Sequence, residues 1–283
     1  MIQANARQIG ELRLVSLDDG EFRLDGGSMF GIVPRTLWAE VSPPDSLNRI
    51  ALRARPLLVQ GPFGNLLIEA GLGDAGGEGF RERYGVATPR GLEGALARAG
   101  VPPEGIDHVV MTHLHWDHAG GLVRRRGDGG LEPAFPRAVH HVQGRTWEAA
   151  LRPGPRAGSY HPDRLEPLAR AVRLERLAGQ TEVLPGVTLR PAGGHCEDHC
   201  VVLLRSGDET AVFLGDLVPL ASHFRPLWVM AYDLEPARTV ADKESLAAAA
   251  EAGGWLAVLY HDPVHVFGRL RRDARGRLEL GPA

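Results

Sequence analysis

Met111-Thr112-His113-Leu114-His115-Trp116-Asp117-His118-Ala119-Gly120-Gly121 holds three histidines and an aspartate within six positions. The apolar residues just before it read as a strand. His113 and His115 are two apart, so at an extended strand end both side chains point the same way. Asp117 and His118 follow where the chain must turn ahead of Gly120 and Gly121. Four neighbouring residues wrap a single tetrahedral ion poorly. So dense a set can instead present nitrogen and oxygen donors to two adjacent cation positions. With no cation, several of these groups would stay unpaired, at about 1–3 kcal/mol each.

Working outward, the same pattern of an apolar strand ending in a donor-type residue recurs. It appears in Ala211-Val212-Phe213-Leu214-Gly215-Asp216 and in Leu256-Ala257-Val258-Leu259-Tyr260-His261. A looser case is Leu189-Arg190-Pro191-Ala192-Gly193-Gly194-His195. Strands of one sheet that end at a common rim deliver their last residues to one place. His108, His140, His141, His161 and His265 have no such context and read as hydrogen-bonded core or surface residues.

The rest of the chain reads as short strands joined by glycine turns, with few helices. Strands are expected at residues 11–17, 21–24, 65–70, 108–112, 139–142, 188–190, 201–204, 211–214 and 256–260. Asp25-Gly26-Gly27 reads as a turn. Residues 50–59, with Pro56 inside, read as one edge or bulged strand. Thr88-Pro89 opens a helix that Gly100 closes, and a short helix is expected at residues 146–151. Residues 239–252 form another, with Thr239 and Asp242 as its capping box. Strand runs punctuated by single helices suggest sheets packed face to face with helices outside.

The 283 residues are 43% apolar and 24% charged, ordinary globular usage that excludes a disordered or fibrous chain. No linker divides them, so residues 1–283 are expected to form a single domain. The net charge of −3 gives no electrostatic footprint for nucleic acid. No apolar run approaches the ~20 residues of a membrane helix, and the first twenty residues lack a signal-peptide core. A cytoplasmic protein acting on a small molecule is expected, with neither nucleic acid nor membrane as partner. Two cysteines, Cys196 and Cys200, exclude a disulfide framework and read as small buried hydrophobes. Lys243 is the single lysine; an arginine-rich basic set is consistent with a GC-rich genome or a heat-adapted host.

His113-x-His115-x-Asp117-His118, with His195, Asp216 and His261 later, resembles the metallo-β-lactamase superfamily over nearly the whole chain. The resemblance implies an α+β fold, an αββα sandwich of two mixed sheets flanked by helices, with a dinuclear metal site at one sheet edge. On that pattern His113, His115 and His195 hold one Zn2+, Asp117, His118 and His261 hold a second, and Asp216 bridges them. Imidazole and carboxylate donors suit zinc. Zinc lowers the pKa of bound water to about 7, so a metal-bridging hydroxide is available to attack a carbonyl or phosphoryl centre. Asp117 is placed to orient it. Related enzymes are often dimers, which makes a homodimer the assembly the resemblance implies.

Three further segments are similar to the lactonase and phosphotriesterase branch: residues 25–34, 193–199 and 215–233. The second departs from that branch in carrying Cys196-Glu197-Asp198 where small residues and proline are usual. N-acyl-homoserine lactones rank first as substrates. Phosphotriesters and thioesters of the glyoxalase II type come next. A mononuclear iron persulfide dioxygenase and a non-catalytic metal protein stand behind them; Asp117 with His118 completes a second site and argues against the iron enzyme. Met29, Phe30, Phe224, Trp228 and Met230 are expected to form an apolar wall, and Tyr232 or His223 to hydrogen-bond the substrate carbonyl.

Overall fold

The computed structural model describes residues 6–74, 76–86 and 91–283. In chain order the first half runs β1 (Ala6–Ile9), β2 (Leu12–Ser16), β3 (Gly20–Asp25), α1 (Gly26–Phe30), α2 (Arg35–Val41), β4 (Arg49–Ala54), β5 (Leu57–Gly61) and β6 (Gly64–Ile68). It continues through α3 (Glu78–Tyr84), α4 (Gly91–Arg98), β7 (His108–Val110), α5 (Trp116–Ala119), β8 (Val123–Arg125), β9 (Leu131–Pro133), β10 (Val139–Gln143), α6 (Gly144–Leu151), α7 (Pro162–Ala171) and β11 (Arg173–Leu177). The second half holds β12 (Thr181–Leu184), β13 (Val187–Pro191), β14 (Cys200–Ser206), β15 (Glu209–Phe213), α8 (Pro236–Ala252), β16 (Leu256–Val258), β17 (Phe267–Arg272) and β18 (Leu278–Gly281).

Each half contributes one seven-stranded mixed sheet. Their strand orders are β1-β2-β5-β6-β7-β10-β11 and β12-β13-β14-β15-β16-β17-β18. Period-two patterning explains why the sheets stack and why helices cover their outer faces. Leu57, Val59, Leu66, Ile68 and Val110 meet Val202, Leu204, Ala211, Phe213, Leu256 and Val258 between the sheets. The residues between them face outward. Leu58, Leu67 and Val109 pack on Leu92 and Leu96 of α4, Trp147 of α6, and Leu165 and Leu168 of α7. Val201, Leu203, Val212 and Ala257 pack on Leu246, Ala247 and Ala250 of α8. Four layers in the order α, β, β, α result.

Three local expectations are corrected. Asp25-Gly26-Gly27 is the start of a helix rather than a turn: the Asp25 carboxylate accepts the Ser28 N–H as the cap of α1. A side chain at Gly26 would overlap the Trp38 indole, so glycine here serves close packing and leaves no periodic signal. Residues 50–59 are two strands. Pro56 interrupts them, β4 pairs with β3 in a separate ribbon, and β5 joins the first sheet. The helix expected from Thr239 begins earlier, with Pro236 in its first turn. Thr239 and Asp242 are not a capping box; they accept the backbone N–H groups of Gly194 and Gly193 and so brace the loop that carries His195. The Thr88-Pro89 helix start lies outside the described residues.

Among the described residues, no helix is long and apolar enough to cross a membrane.

Candidate metal centre

Strands β13, β15 and β16 run the same way in the second sheet, and the chain leaving each of them meets the chain leaving β7 of the first sheet at one rim. Beyond β7 come His113, His115 and the turn of α5 with Asp117 and His118. Beyond β13 comes His195, beyond β15 Asp216, beyond β16 His261. All seven are buried, none more than 8% exposed.

Three groups of donor atoms form there: a first from His113, His115, His195 and Asp216, a second from Asp117, His118 and His261, and a third, overlapping both, from Glu69, His113 and His118. In the first, His115 Nδ1 lies 3.0 Å from His113 Nε2 and 3.0 Å from His195 Nε2. In the second, His118 Nε2 and His261 Nε2 are 3.1 Å apart, with Asp117 Oδ2 at 4.0 and 3.6 Å. Asp216 stands between them. Its Oδ2 is 3.1 Å from His195 Nε2 and 3.8 Å from His113 Nε2. Its Oδ1 is 3.2 Å from both His118 Nε2 and His261 Nε2. Donors tetrahedrally placed about 2.05 Å from a zinc ion would be about 3.3 Å apart, and these separations bracket that value.

The far side of each ring is held from outside. His195 Nδ1–H donates to the Asp233 carboxylate at 3.0 Å, and His261 Nδ1–H to the Arg53 carbonyl at 2.9 Å. His113 Nδ1 meets the Thr112 hydroxyl at 3.0 Å. His118 Nδ1 faces Glu69 Oε2 at 3.6 Å. His199 donates from Nδ1 to the Ala192 carbonyl and accepts the Asp216 N–H on Nε2, which fixes its neutral tautomer and the Asp216 backbone together. With Nδ1 protonated, His195 and His261 turn lone pairs inward. Converging lone pairs on buried nitrogens are unfavourable without a shared cation, and this is how second-layer partners prepare imidazoles for a metal.

Electrostatics agree. Burial, then the neighbouring imidazoles, hold His113 and His115 well below the ordinary histidine range, leaving them neutral. Burial also works against protonation of His118, but Asp216, Asp117 and Glu69 overcome it and hold this ring well above that range. Burial would raise the Asp216 carboxyl, yet His118, His261 and His195 pull it well below the usual carboxylate range. The second group therefore favours positive charge, the condition for binding a cation. Oδ1 of Asp216, which lies between His118 and His261, is buried without a hydrogen-bond partner, as a metal-facing donor would be. The residues fit a pair of divalent ions.

Two residues that complete this arrangement escape a reading of the sequence. Glu69 is fully buried with φ +65, a left-handed conformation unusual for a residue other than glycine. Its Oε1 accepts the Thr112 N–H at 3.0 Å while Oε2 backs His118. Its signal was a strand, Asn65-Leu66-Leu67-Ile68, running straight into an acid. Asp233 is the other; it lies in a segment read for its apolar residues. Tyr260 adds a third hold, donating its hydroxyl to the Asp117 carbonyl at 2.6 Å and stacking on His118.

The rim opens into a cavity of about 280 Å³. His115, Asp117, His195, Asp216 and His261 line its polar side, and Leu24, Met29, Trp116 and Met230 its apolar side, with Tyr84 and Tyr232 beside them. Met29 and Met230 thus reach the cavity as expected. Phe30, Phe224 and Trp228 do not: Phe30 stacks on Trp38 and His223, Phe224 packs under α8, and Trp228 meets Phe30 edge-on. Tyr232 lines the cavity. Burial raises its phenol and a hydrogen bond with the Ser28 side chain opposes that, so it remains a proton donor. His223 is not brought to the cavity. It is buried, its Nε2 bonds the Met29 carbonyl at 2.8 Å, and burial lowers its pKa to about 4. Its place is behind Met29. Cys196 and Cys200 are buried free thiols. Burial raises both, Cys200 to about 12, and neither joins the donor groups.

The family model of the metallo-beta-lactamase superfamily matches residues 56–264, and the chain belongs to that superfamily of metallo-hydrolases. Similarity to particular proteins is more modest. The N-acyl homoserine lactonase AiiA of Bacillus thuringiensis subsp. kurstaki is 29% identical over 119 residues, 42% of this chain and 41% of that one. These alignments span about two fifths of the length of such curated lactonases. A probable metallo-hydrolase of Mycobacterium bovis is 28% identical over 229 residues, 67% of this chain and 66% of that protein. Among solved structures, a probable metal-dependent hydrolase from Staphylococcus aureus superposes with a TM-score of 0.88 at 31% identity, covering 93% of this chain and 94% of that one. AidC, a dizinc quorum-quenching lactonase, shares the fold with a TM-score of 0.78 at 20% identity, covering 98% and 96%.

Proposed function

We propose that this chain is a dizinc hydrolase that opens lactones or related esters, with N-acyl-homoserine lactones the leading substrate class. The observation that carries the two-ion reading is Asp216, whose two carboxylate oxygens face two separate groups of imidazoles. His113, His115 and His195 would hold one ion, Asp117, His118 and His261 the other, with Asp216 shared. Two zinc ions held so supply Lewis acidity and a water acidic enough to ionise near neutral pH.

The chain's own residues do the rest. Asp117, its backbone fixed by Tyr260, presents a carboxylate at the cavity floor that can accept a proton from the attacking water and pass it to the leaving alkoxide. Tyr232, which lines the cavity, can donate its phenol proton to the substrate carbonyl oxygen, where negative charge develops. Leu24, Met29 and Met230 pack an acyl chain and exclude water. The lactonase names among the relatives support this substrate ranking.

A panel of a long-chain acyl-homoserine lactone, a phosphotriester and a glutathione thioester tests it. The lactone is expected to give the highest kcat/KM. Dominance of either competitor would replace the lactone reading while leaving the two-ion site standing.

A further inference from the structure

The cavity wall carries one feature that neither lactone opening nor metal binding uses. Arg156 lies in the helical turns Gly154–Ser159, which enter the cavity with Arg156, Gly158 and Ser159. One guanidinium nitrogen, NH1, donates to the Tyr232 carbonyl at 3.1 Å, which fixes the group beside a residue that also lines the cavity. A guanidinium has five N–H donors in a planar fork and keeps its charge at any physiological pH. The other donors of Arg156 have no hydrogen-bond acceptor among the described residues.

Among the described residues Arg156 pairs with no carboxylate. Among the same residues other arginines, such as Arg13 and Arg225, also lack an ion pair; Arg156 is set apart by lining the cavity that holds His115, Asp117 and His261. Its charge reaches inward, acting on Tyr160 and Cys196 next to His115 and His195. A partly buried cation with free donors, on an otherwise apolar wall, is complementary to a planar anion.

We propose that Arg156 is a specificity-determining residue that binds a carboxylate on the substrate while the scissile ester sits at the His/Asp cluster. The preferred substrates are then acidic: lactones or esters whose acyl part ends in a carboxylate. This inference rests on the hydrolase reading for its kinetic consequence but not for its binding one.

The experiment compares two acyl lactones of equal chain length, one ending in a methyl and one in a carboxylate. It also measures, by calorimetry on the zinc-loaded protein, a linear dicarboxylate against the monocarboxylate of the same length. Wild type is expected to favour the acidic member of each pair by about tenfold or more, the effect of one charge-assisted hydrogen bond. Arg156→Gln keeps an N–H for the Tyr232 carbonyl and removes the charge, so both ratios fall to near one. Arg156→Lys keeps the charge and part of the preference, and it guards against misfolding of the Gln variant. Arg156→Glu reverses the preference. An unchanged ratio in Arg156→Gln, or a wild-type preference for the neutral members, overturns the proposal. If neither lactone is turned over, the lactone reading fails, and the dicarboxylate ratios still decide the role of Arg156.

Discussion

The rim at the ends of β7, β13, β15 and β16 faces, across one cavity, a wall drawn from α1, Gly154–Ser159 and residues 228–233. The rim is fixed by sheet backbone. Its side chains are nearly fully buried, and every imidazole but His115 is backed by a second polar partner. The wall is made of connections. Its residues are held by contacts between loops, such as Arg156 to the Tyr232 carbonyl and, behind the wall, His223 to the Met29 carbonyl and the Phe30 ring. Rigid donors suit ions that tolerate little displacement; loops that can be exchanged suit a variable substrate. Substitutions in the rim should therefore abolish chemistry, and substitutions in the wall should redistribute it among substrates.

The largest effect is expected for Asp216→Asn, which weakens both donor groups at once. Zinc content should fall and kcat/KM should drop by more than the about 10–100-fold typical of outer partners, with the far-ultraviolet dichroism retained. Near-normal turnover with full metal would remove the bridging role. Glu69→Gln and Asp233→Asn come next. Each leaves a donor ring in place but loosens its support, and each should cost about 10–100-fold in zinc affinity, read by competition with a chelator. An effect confined to thermal stability would mean that these carboxylates only fill space.

Beneath the rim, Asp19 accepts the N–H groups of Leu72 and Leu92, pinning the loop that bridges from Gly71 to Ala119. Burial outweighs those bonds and raises its carboxyl from 3.8 to about 6. The folded state thus holds this proton more tightly than the unfolded one. The associated stabilisation is present below about pH 4 and is lost as pH rises through about 6, a change of roughly 2–3 kcal/mol. Denaturant midpoints across that range should slope downward in wild type, and the slope should flatten in Asp19→Asn. Smaller effects belong to the wall. Tyr232→Phe should lower kcat about tenfold with little change in KM, and a pure KM effect would make it a packing residue instead. His223→Ala should cost about 1–3 kcal/mol of stability by orphaning the Met29 carbonyl, with a larger loss of stability than of turnover.

The same contrast decides what a single sequence can disclose. The rim was legible because apolar strands that end in His or Asp are rare, and because His113 to His118 are too dense for ordinary surface decoration. Layer order followed from strand runs punctuated by single helices; in all-apolar stretches such as Leu57-Leu58-Val59 and Val201-Val202-Leu203 the residue types do not tell the face between the sheets from the face under a helix. Glu69 carried the same strand-end signal, but an acid after a strand also reads as a solvent-facing turn; only its burial behind His118 separates the two. Thr239 and Asp242 looked like helix caps because their spacing is right for one, and the loop they brace comes from a distant part of the chain. The wall was read least well. Aromatic residues such as Phe30 and Trp228 suit a pocket and a core equally, and the packing of Trp38 on Phe30 settles the choice. Arg156 gave no signal at all among so many arginines, since what distinguishes it is its place on the cavity wall.

The two-ion centre is tested most directly by anomalous diffraction from crystals of the zinc-loaded protein. Two zinc peaks are expected about 3.5–4 Å apart, one among His113, His115 and His195, the other among Asp117, His118 and His261, with Asp216 between. A single peak at full zinc loading, or a second one away from His118 and His261, would contradict the account.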